Sequence, residues 1–335
     1  MADLDTVGVM NRSGHRIAYG PIPSRRLGRS LGVNNIPAKV CSYACRYCQV
    51  GTTTEQSIEP RAFFDPAQIR DAVATHLHRI RAAGLDADYL SFVPDGEPTL
   101  DSGLGESIDA LRELGIPIAV ITNGSLLWRE DVRSRLSAAD LVSVKVDSVV
   151  EDVWHRVNGP HRNLGIEDIL RGIGEFATGY PGTLITETML VAGLNDSPES
   201  LTPTAAFLAT ISPRTAYLAV PIRPPAVAGT HSPDEPGLVR AYETYAARLP
   251  AVELLTGHEV GDFAHTGDAR EDLLAITAVH PMREAAVRQL LIEDGATWAL
   301  IEALLAADAL RAVEHDGERF YLRPVHRGST AAEAQ

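Results

Sequence analysis

ADYLSFVPDGEPTLDSGLGESIDALRELGIPIAVITNG, residues 87–124, reads as one strand–helix–strand unit. ADYLSFVP (Ala87–Pro94) has the length and residue types of a buried strand. Ile108, Leu111 and Leu114 then place one apolar stripe on a helix that stops at Gly115. PIAVITNG (Pro117–Gly124) returns as a strand. The same alternation continues in both directions. Upstream, Ser30–Ile36 is a strand running into a cysteine-bearing loop. Asp65-Pro66 then supplies an N-cap and a first-turn proline for a helix striped by Ile69, Val73, Leu77 and Ile80. Downstream, Ala139–Asp147 is a fourth strand, and a helix around Ile169, Leu170, Ile173 and Phe176 leads to a fifth, Leu184–Gly193. Ser197-Pro198 opens another helix, and Thr215–Ile222 is the last strand of the series. Six βα units imply a parallel sheet, either an open (β/α) barrel or a doubly wound sheet, which periodicity does not separate. In both, chemistry belongs at the C-terminal ends of the strands.

Beyond this series the character of the chain changes. Arg223–Gly237 is rich in Pro and Gly and reads as a linker or covering loop. Two helix-like stretches, Met282–Ile292 and Thr297–Ala307, precede Arg311–Leu322, a β-hairpin with Asp316-Gly317 at a type I′ turn. Helix, helix, hairpin is the order of a winged-helix-like module. The expected organisation is thus a core over 1–225, a linker and covering segment over 226–279, the winged-helix-like module over 280–325 and a disordered tail over 326–335.

With 335 residues, 45% of them hydrophobic, the chain is long enough to bury one large core and a small satellite. The net charge of −14 argues against broad nucleic-acid binding, which depends on Lys and Arg neutralising phosphates. A local basic patch exists nonetheless, formed by Arg12, Arg16, Arg25, Arg26 and Arg29, and suits an anionic substrate or a solvated surface. No signal peptide and no membrane-spanning run is present, so a cytoplasmic location and reduced thiols are expected.

All three cysteines fall in the eight-residue piece CSYACRYC, at Cys41, Cys45 and Cys48. Inert core thiols would not be expected to cluster so. Structural zinc wants four ligands, and the next histidine is as far as His76. A catalytic cysteine would want a paired base that the local sequence does not offer. Three thiolates on one short loop suit a four-iron cluster with one iron left open.

The C-x3-C-x2-C spacing, with the aromatic Tyr47 before the last cysteine, resembles the signature loop of the radical S-adenosylmethionine (SAM) superfamily. Other positions agree in order. DGEP (Asp95–Pro98) stands where the family has a Gly-Gly-Glu motif, with Asp95 replacing the first Gly, and Thr122-Asn123 ends the third strand as a Thr-Asn-Gly element does. The resemblance spans about Tyr19 to Arg223 and is nearest to a subgroup of iron–sulfur oxidoreductases related to wyosine-forming tRNA enzymes. Those tRNA enzymes carry cysteines for a second cluster, which this chain lacks.

The resemblance implies a partial (β/α)6 barrel, a [4Fe-4S] cluster on Cys41, Cys45 and Cys48, and SAM as cofactor. It gives Gly96 and Glu97 the methionine amino group and makes Thr122 and Asn123 further cofactor contacts. Ser143, Lys145 and Asp147, alternating along one strand face, take the ribose and the carboxylate. Tyr47 falls near the adenine, and Met189 and Val191 wall the adenosine pocket. The implied chemistry is reductive cleavage of SAM to a 5′-deoxyadenosyl radical that takes hydrogen from a substrate. Electrons would come from a low-potential donor such as flavodoxin or ferredoxin. The substrate is expected to be a small molecule or peptide. Candidate contacts are Arg25, Arg26 and Arg29, which suit a carboxylate or phosphate, and His161 with Arg162. His258 and His265 are further candidates in a Gly-rich stretch.

A DNA-binding iron–sulfur sensor is the rival reading. Its recognition helix would be TWALIEALLAAD (Thr297–Asp308), which carries Glu302 and Asp308 and no Lys or Arg. Groove reading normally needs basic and amide side chains, so packing is the better use of this helix.

Overall fold

The computed structural model describes residues 16–257, 263 and 266–324. Arg12, His258, His265 and the tail 326–335 lie outside the described residues. The first elements are β1 (Ala18–Ser24), β2 (Gly28–Val33), the short strands β3 (Val40–Cys41) and β4 (Glu55–Gln56), and α1 (Pro66–Ala82). There follow β5 (Tyr89–Phe92), α2 (Leu104–Arg112), β6 (Ile118–Thr122), α3 (Glu130–Leu136), β7 (Leu141–Lys145), α4 (Glu151–Asn158) and α5 (Ile166–Gly179). The core closes with β8 (Thr183–Met189), α6 (Pro198–Ile211), β9 (Ala216–Ala219), α7 (Glu235–Ala246) and β10 (Val252–Leu255).

Strands in the order β1-β2-β5-β6-β7-β8-β9-β10 make one eight-stranded sheet. Only the β1–β2 pair is antiparallel; from β2 onward each neighbour pairs in parallel. This is a curled half-barrel, the partial barrel of the two architectures left open by periodicity. Helices cover its outer face, where Val120, Val142, Val144, Leu184 and Leu218 meet Ile69, Ile108, Ile173 and Leu208. The register sets the inner rows. Ile121 neighbours Ser143, and Ser143 neighbours Ile185. One step nearer the C-terminal rim, Lys145 neighbours Glu187, which neighbours Tyr217. The next row is Met189, Ala219 and Leu255.

All six strands expected from the sequence are present. The N-cap of α1 is a full capping box, Asp65 and Gln68 satisfying each other's backbone. Two strands of this sheet were not legible, and outside it the two-residue strands β3 and β4, and Met282–Arg283 at the start of a stretch read as helix, were not either. AYGPIPS carries two prolines, yet β1 forms at the sheet edge, where a missing N–H costs no ladder bond. The 226–279 segment, read as linker and cover, contains α7, a seventh parallel strand β10, and α8 (Ala269–Val279). Its Pro/Gly-rich start hid the stripe of Leu238, Ala241 and Tyr245 on α7, and β10 is only four residues long.

The C-terminal module adds β11 (Met282–Arg283), α9 (Glu284–Glu293), α10 (Ala299–Ala306), β12 (Arg311–His315) and β13 (Glu318–Leu322). Its sheet order is β11-β13-β12. The hairpin turn has φ of 49° at Asp316 and 78° at Gly317, as a type I′ turn requires. Leu273 and Ile276 of α8 share one core with Val287, Leu290, Ile301, Leu304 and Tyr321, so α8 belongs with this module as its first helix. Among the described residues no helix is long and apolar enough to cross a membrane.

Two glycines of α5 test the packing. A Cβ at Gly172 would meet the Leu127 and Trp128 backbone at 2.3–2.5 Å, whereas one at Gly174 would meet open space. Gly172→Ala is expected to destabilise the fold by about 1–3 kcal/mol, by pushing α5 off the core. Gly174→Ala should stabilise it by about 0.5–1 kcal/mol through helix propensity. Thermal denaturation followed by circular dichroism checks both; equal shifts would refute this packing.

Candidate active site

The cysteine loop crosses the C-terminal mouth of the half-barrel. Two backbone bonds pin its start to the end of β5: Lys39 N donates to Asp95 O at 2.9 Å, and Glu97 N to Val40 O at 3.1 Å. Gly96 lies between them, and a Cβ there would sit 2.0 Å from Val40 O, so only glycine allows the approach. The far side rests on the end of α4. Ala44 N donates to Gly159 O at 3.0 Å, Arg46 N to Val157 O at 3.0 Å, and His161 N to Ser42 O at 2.9 Å.

All three cysteines line one cavity of about 280 Å³ together with Lys39, Tyr47, Gly96, Glu97, Thr122, Asn123, Lys145, Glu187 and Met189. Each sulfur has a side-chain nitrogen beside it. Asn123 Nδ2 lies 3.6 Å from Cys41 Sγ, Asn158 Nδ2 3.5 Å from Cys45 Sγ, and Lys39 Nζ 3.3 Å from Cys48 Sγ. Burial pushes the Cys41 thiol well up, helped by the Glu97 charge. Burial and Asp147 push Cys45 up to about 12. A metal that binds such thiols must displace their protons. Among the described residues no three His, Cys, Asp or Glu side chains converge on a single-ion position. The three thiols line the same cavity, and thiolate ligation is what an iron–sulfur cluster requires.

Glu97 is buried and fully bonded. Its Oε1 accepts from Thr99 N at 3.1 Å and from the hydroxyls of Thr99 and Thr122 at 2.6 Å each, and Oε2 accepts from Asn123 N at 2.8 Å. Burial raises its pKa against these donors. Its carboxylate therefore braces the loops rather than facing the cavity freely. Thr122 spends its hydroxyl on the same carboxylate. The Asn123 side chain reaches the cysteine loop, donating to Ser42 Oγ at 2.9 Å as well as to Cys41.

Lys145 faces the cavity as expected, with its Nζ over the Tyr47 ring at 5.0 Å. It pairs with Glu187, which also pairs with Arg26. Burial alone would raise the Glu187 carboxyl, but the charges of Arg26 and Lys145 outweigh it and hold the group at about 2. Asp147, placed by the family pattern beside the ribose, is instead a fastener. Its Oδ2 accepts from the Tyr47 hydroxyl and from Asn158 Nδ2, and Oδ1 from Met189 N at 2.8 Å. The strand ends at Lys145, so period-two alternation no longer fixes its direction. Ser143 points inward but lies between Ile121 and Ile185, fully buried beneath the cavity floor. Tyr47 packs on Val153, Val157 and Val191; Val191 is thereby covered and does not line the cavity, whereas Met189 does.

The basic candidates separate. Arg26 enters the cavity, and Arg25 lines it while donating to Gly257 O at 2.8 Å. Arg29 does not: it lies exposed, forked onto Asp88, because the β1–β2 hairpin turns it outward. Arg16 pairs with Glu271. His161 and exposed Arg162 sit behind the cysteine loop, outside the cavity. Sequence reasoning missed Lys39, Gln49, Glu187 and Arg223, all of which line the cavity. For Glu187 a signal existed, since it lies two residues before Met189 on the same strand face.

Residues 35–208 match the profile of the radical SAM superfamily. The chain belongs to that superfamily, whose members are enzymes that use a [4Fe-4S] cluster and SAM. It is 42% identical over 311 residues to the UPF0026 protein MJ1312 of Methanocaldococcus jannaschii, a match covering 92% of this chain and 96% of that one. A GTP 3',8-cyclase of Edwardsiella ictaluri is 29% identical over 160 residues, 47% of this chain and 45% of its own. A radical SAM methyltransferase from Sphaerobacter thermophilus has a similar fold, with a TM-score of 0.52 and 17% identity over 68% of this chain and 67% of that one.

The Glu97 network yields a test. In Glu97→Gln one amide end must face either Asn123 N–H or Thr99 N–H, leaving a buried donor without its acceptor. The expected cost is about 1–3 kcal/mol in chemical denaturation, with weaker iron and sulfide uptake. A variant as stable as the parent would show that the carboxylate is not a brace.

Proposed function

We propose that Cys41, Cys45 and Cys48 hold the cluster and that the cavity beside them binds SAM and an anionic small-molecule substrate. The observation that carries this reading is the gathering of the three thiols, each with its own nitrogen donor, on the wall of one cavity ringed by strand ends. When bound, the cluster supplies one electron that splits SAM into methionine and a 5′-deoxyadenosyl radical, which takes a hydrogen atom from the substrate.

The chain's own residues orient and enclose. Lys145 and the backbone at Gly96 line the cavity, where they would hold the carboxylate and the methionine end of the cofactor. Glu97, Thr122, Asn123, Tyr47 and Asp147 hold the shape of that wall through their mutual bonds. On the other side Arg25, Arg26 and Arg223 line the cavity with Glu187, so among the described residues the lining carries an excess of cations. That excess favours a carboxylate or phosphate on the substrate. A low-potential protein such as flavodoxin or ferredoxin would deliver the electron.

Anaerobic reconstitution with iron and sulfide, followed by dithionite and SAM, should yield 5′-deoxyadenosine and methionine. Replacing any one of the three cysteines by Ala should abolish both cluster absorbance and cleavage. A parent protein that retains stoichiometric zinc and produces no 5′-deoxyadenosine would overturn the proposal.

A further inference from the structure

Lys39 is the least expected residue of the site. It is 1% exposed, and its backbone φ is 64°, in the left-handed region that favours glycine. A non-glycine residue there costs roughly 1 kcal/mol, and burying a cation costs more unless an anion meets it. Among the described residues Lys39 has no carboxylate partner; its ammonium meets only Cys48 Sγ, at 3.3 Å. The backbone holds it there from both sides. Its N–H donates to Asp95 O at 2.9 Å, and its carbonyl accepts from Thr54 N at 3.1 Å and Glu55 N at 3.2 Å. Cys41 and Cys45 meet neutral amides, Asn123 and Asn158. One sulfur of the three therefore receives a full positive charge.

We propose that Lys39 sets the reduction potential of the cluster by placing its charge beside Cys48. This rests on Cys48 being a cluster ligand. Potentials of iron–sulfur centres follow net charge, hydrogen bonds to the sulfurs and solvent exposure. A buried ammonium stabilises the reduced, more negative state over the oxidised one, and low surrounding polarity strengthens the effect. Lys39 is a positioning residue in this sense: it acts through Cys48 and need not touch a substrate.

The test compares the parent with Lys39→Met, Lys39→Gln and Lys39→Arg, each reconstituted anaerobically. Iron and sulfide content and thermal denaturation report folding and loading. Redox titration monitored by electron paramagnetic resonance, without and with SAM, reports the potential. Lys39→Met and Lys39→Gln should load the cluster but move its midpoint to more negative values. At a fixed ambient potential the reduced-to-oxidised ratio should fall about tenfold, equivalent to about 59 mV. Lys39→Arg, which keeps the charge, should stay near the parent. An unmoved midpoint in Lys39→Met would overturn the proposal, as would a Lys39→Gln variant that matches the parent, since a neutral donor would then suffice. If both neutral variants fail to take up iron while Lys39→Arg succeeds, the residue serves cluster assembly, and the proposal again fails. A parent protein that takes up no cluster defeats the ligand reading itself, which separates the two failures.

Discussion

The buried carboxylate of Glu97 is the constraint from which the rest of the site takes its geometry. It ties the end of β5 to the end of β6 through Thr122 and Asn123, while its own N–H reaches Val40 in the cysteine loop. An ionised group in the interior is tolerated only when its lone pairs are met. The three segments must therefore arrive together, and the same requirement leaves them little freedom to drift apart. Gly96 acts in the same place by another route: with no Cβ it lets the loop lie against the strand end. The cysteine loop is anchored both by these polar bonds and by the buried Val40, Tyr43 and Tyr47.

A second constraint faces it across the cavity. The inner surface of the half-barrel passes from Ile121 and Ile185 to Lys145 and Glu187 and then to Met189, Ala219 and Leu255. One ionic layer thus lies between two largely apolar ones. Glu187 stays ionised through the ordinary pH range because two cations overcome its burial. It thereby fixes where Arg26 and Lys145 stand. Arg26 comes from the β1–β2 hairpin, so the antiparallel strand pair at the sheet edge contributes a charge to the cavity as well as closing the edge. In a closed-off space such a layer orients a charged ligand more strongly than surface charges do.

What was legible in the sequence was whatever repeats locally. The six strands, the Asp65 cap and the Asp316-Gly317 turn each depend on a few adjacent residues. The three cysteines were legible by their spacing. What was not legible depends on register across several strands or on a turn's direction. Ser143 and Lys145 share a face, but neighbours on β6 and β8 decide which of them is sealed and which is open. Arg26 and Arg29 are three residues apart, and the hairpin at Gly28, with φ of 64°, sends them to opposite fates. Lys39 follows no period at all; only its distance to Cys48 reveals it. Tyr245 was hidden because its partner is the Thr188 hydroxyl, more than fifty residues away on β8.

The C-terminal module reaches the same site from outside. Gln49, the residue after Cys48, donates to Val279 O at 3.3 Å and accepts from Arg223 at 2.7 Å. Arg223 in turn meets His280 at 3.2 Å, and Val50 packs against the cluster of Tyr19, Ala275 and Val279. The end of α8 is thus bonded to the residue that follows Cys48. On α10 the buried Ile301 and Leu304 are committed to packing, the exposed face carries Glu302, and Arg288 covers Trp298 at 4.0 Å. A DNA-reading helix would need free basic side chains where this one has acids. The contacts instead make the module part of the wall around the cysteine loop. Gln49 thus links the end of α8 to the segment that carries Cys48 and its Lys39 contact.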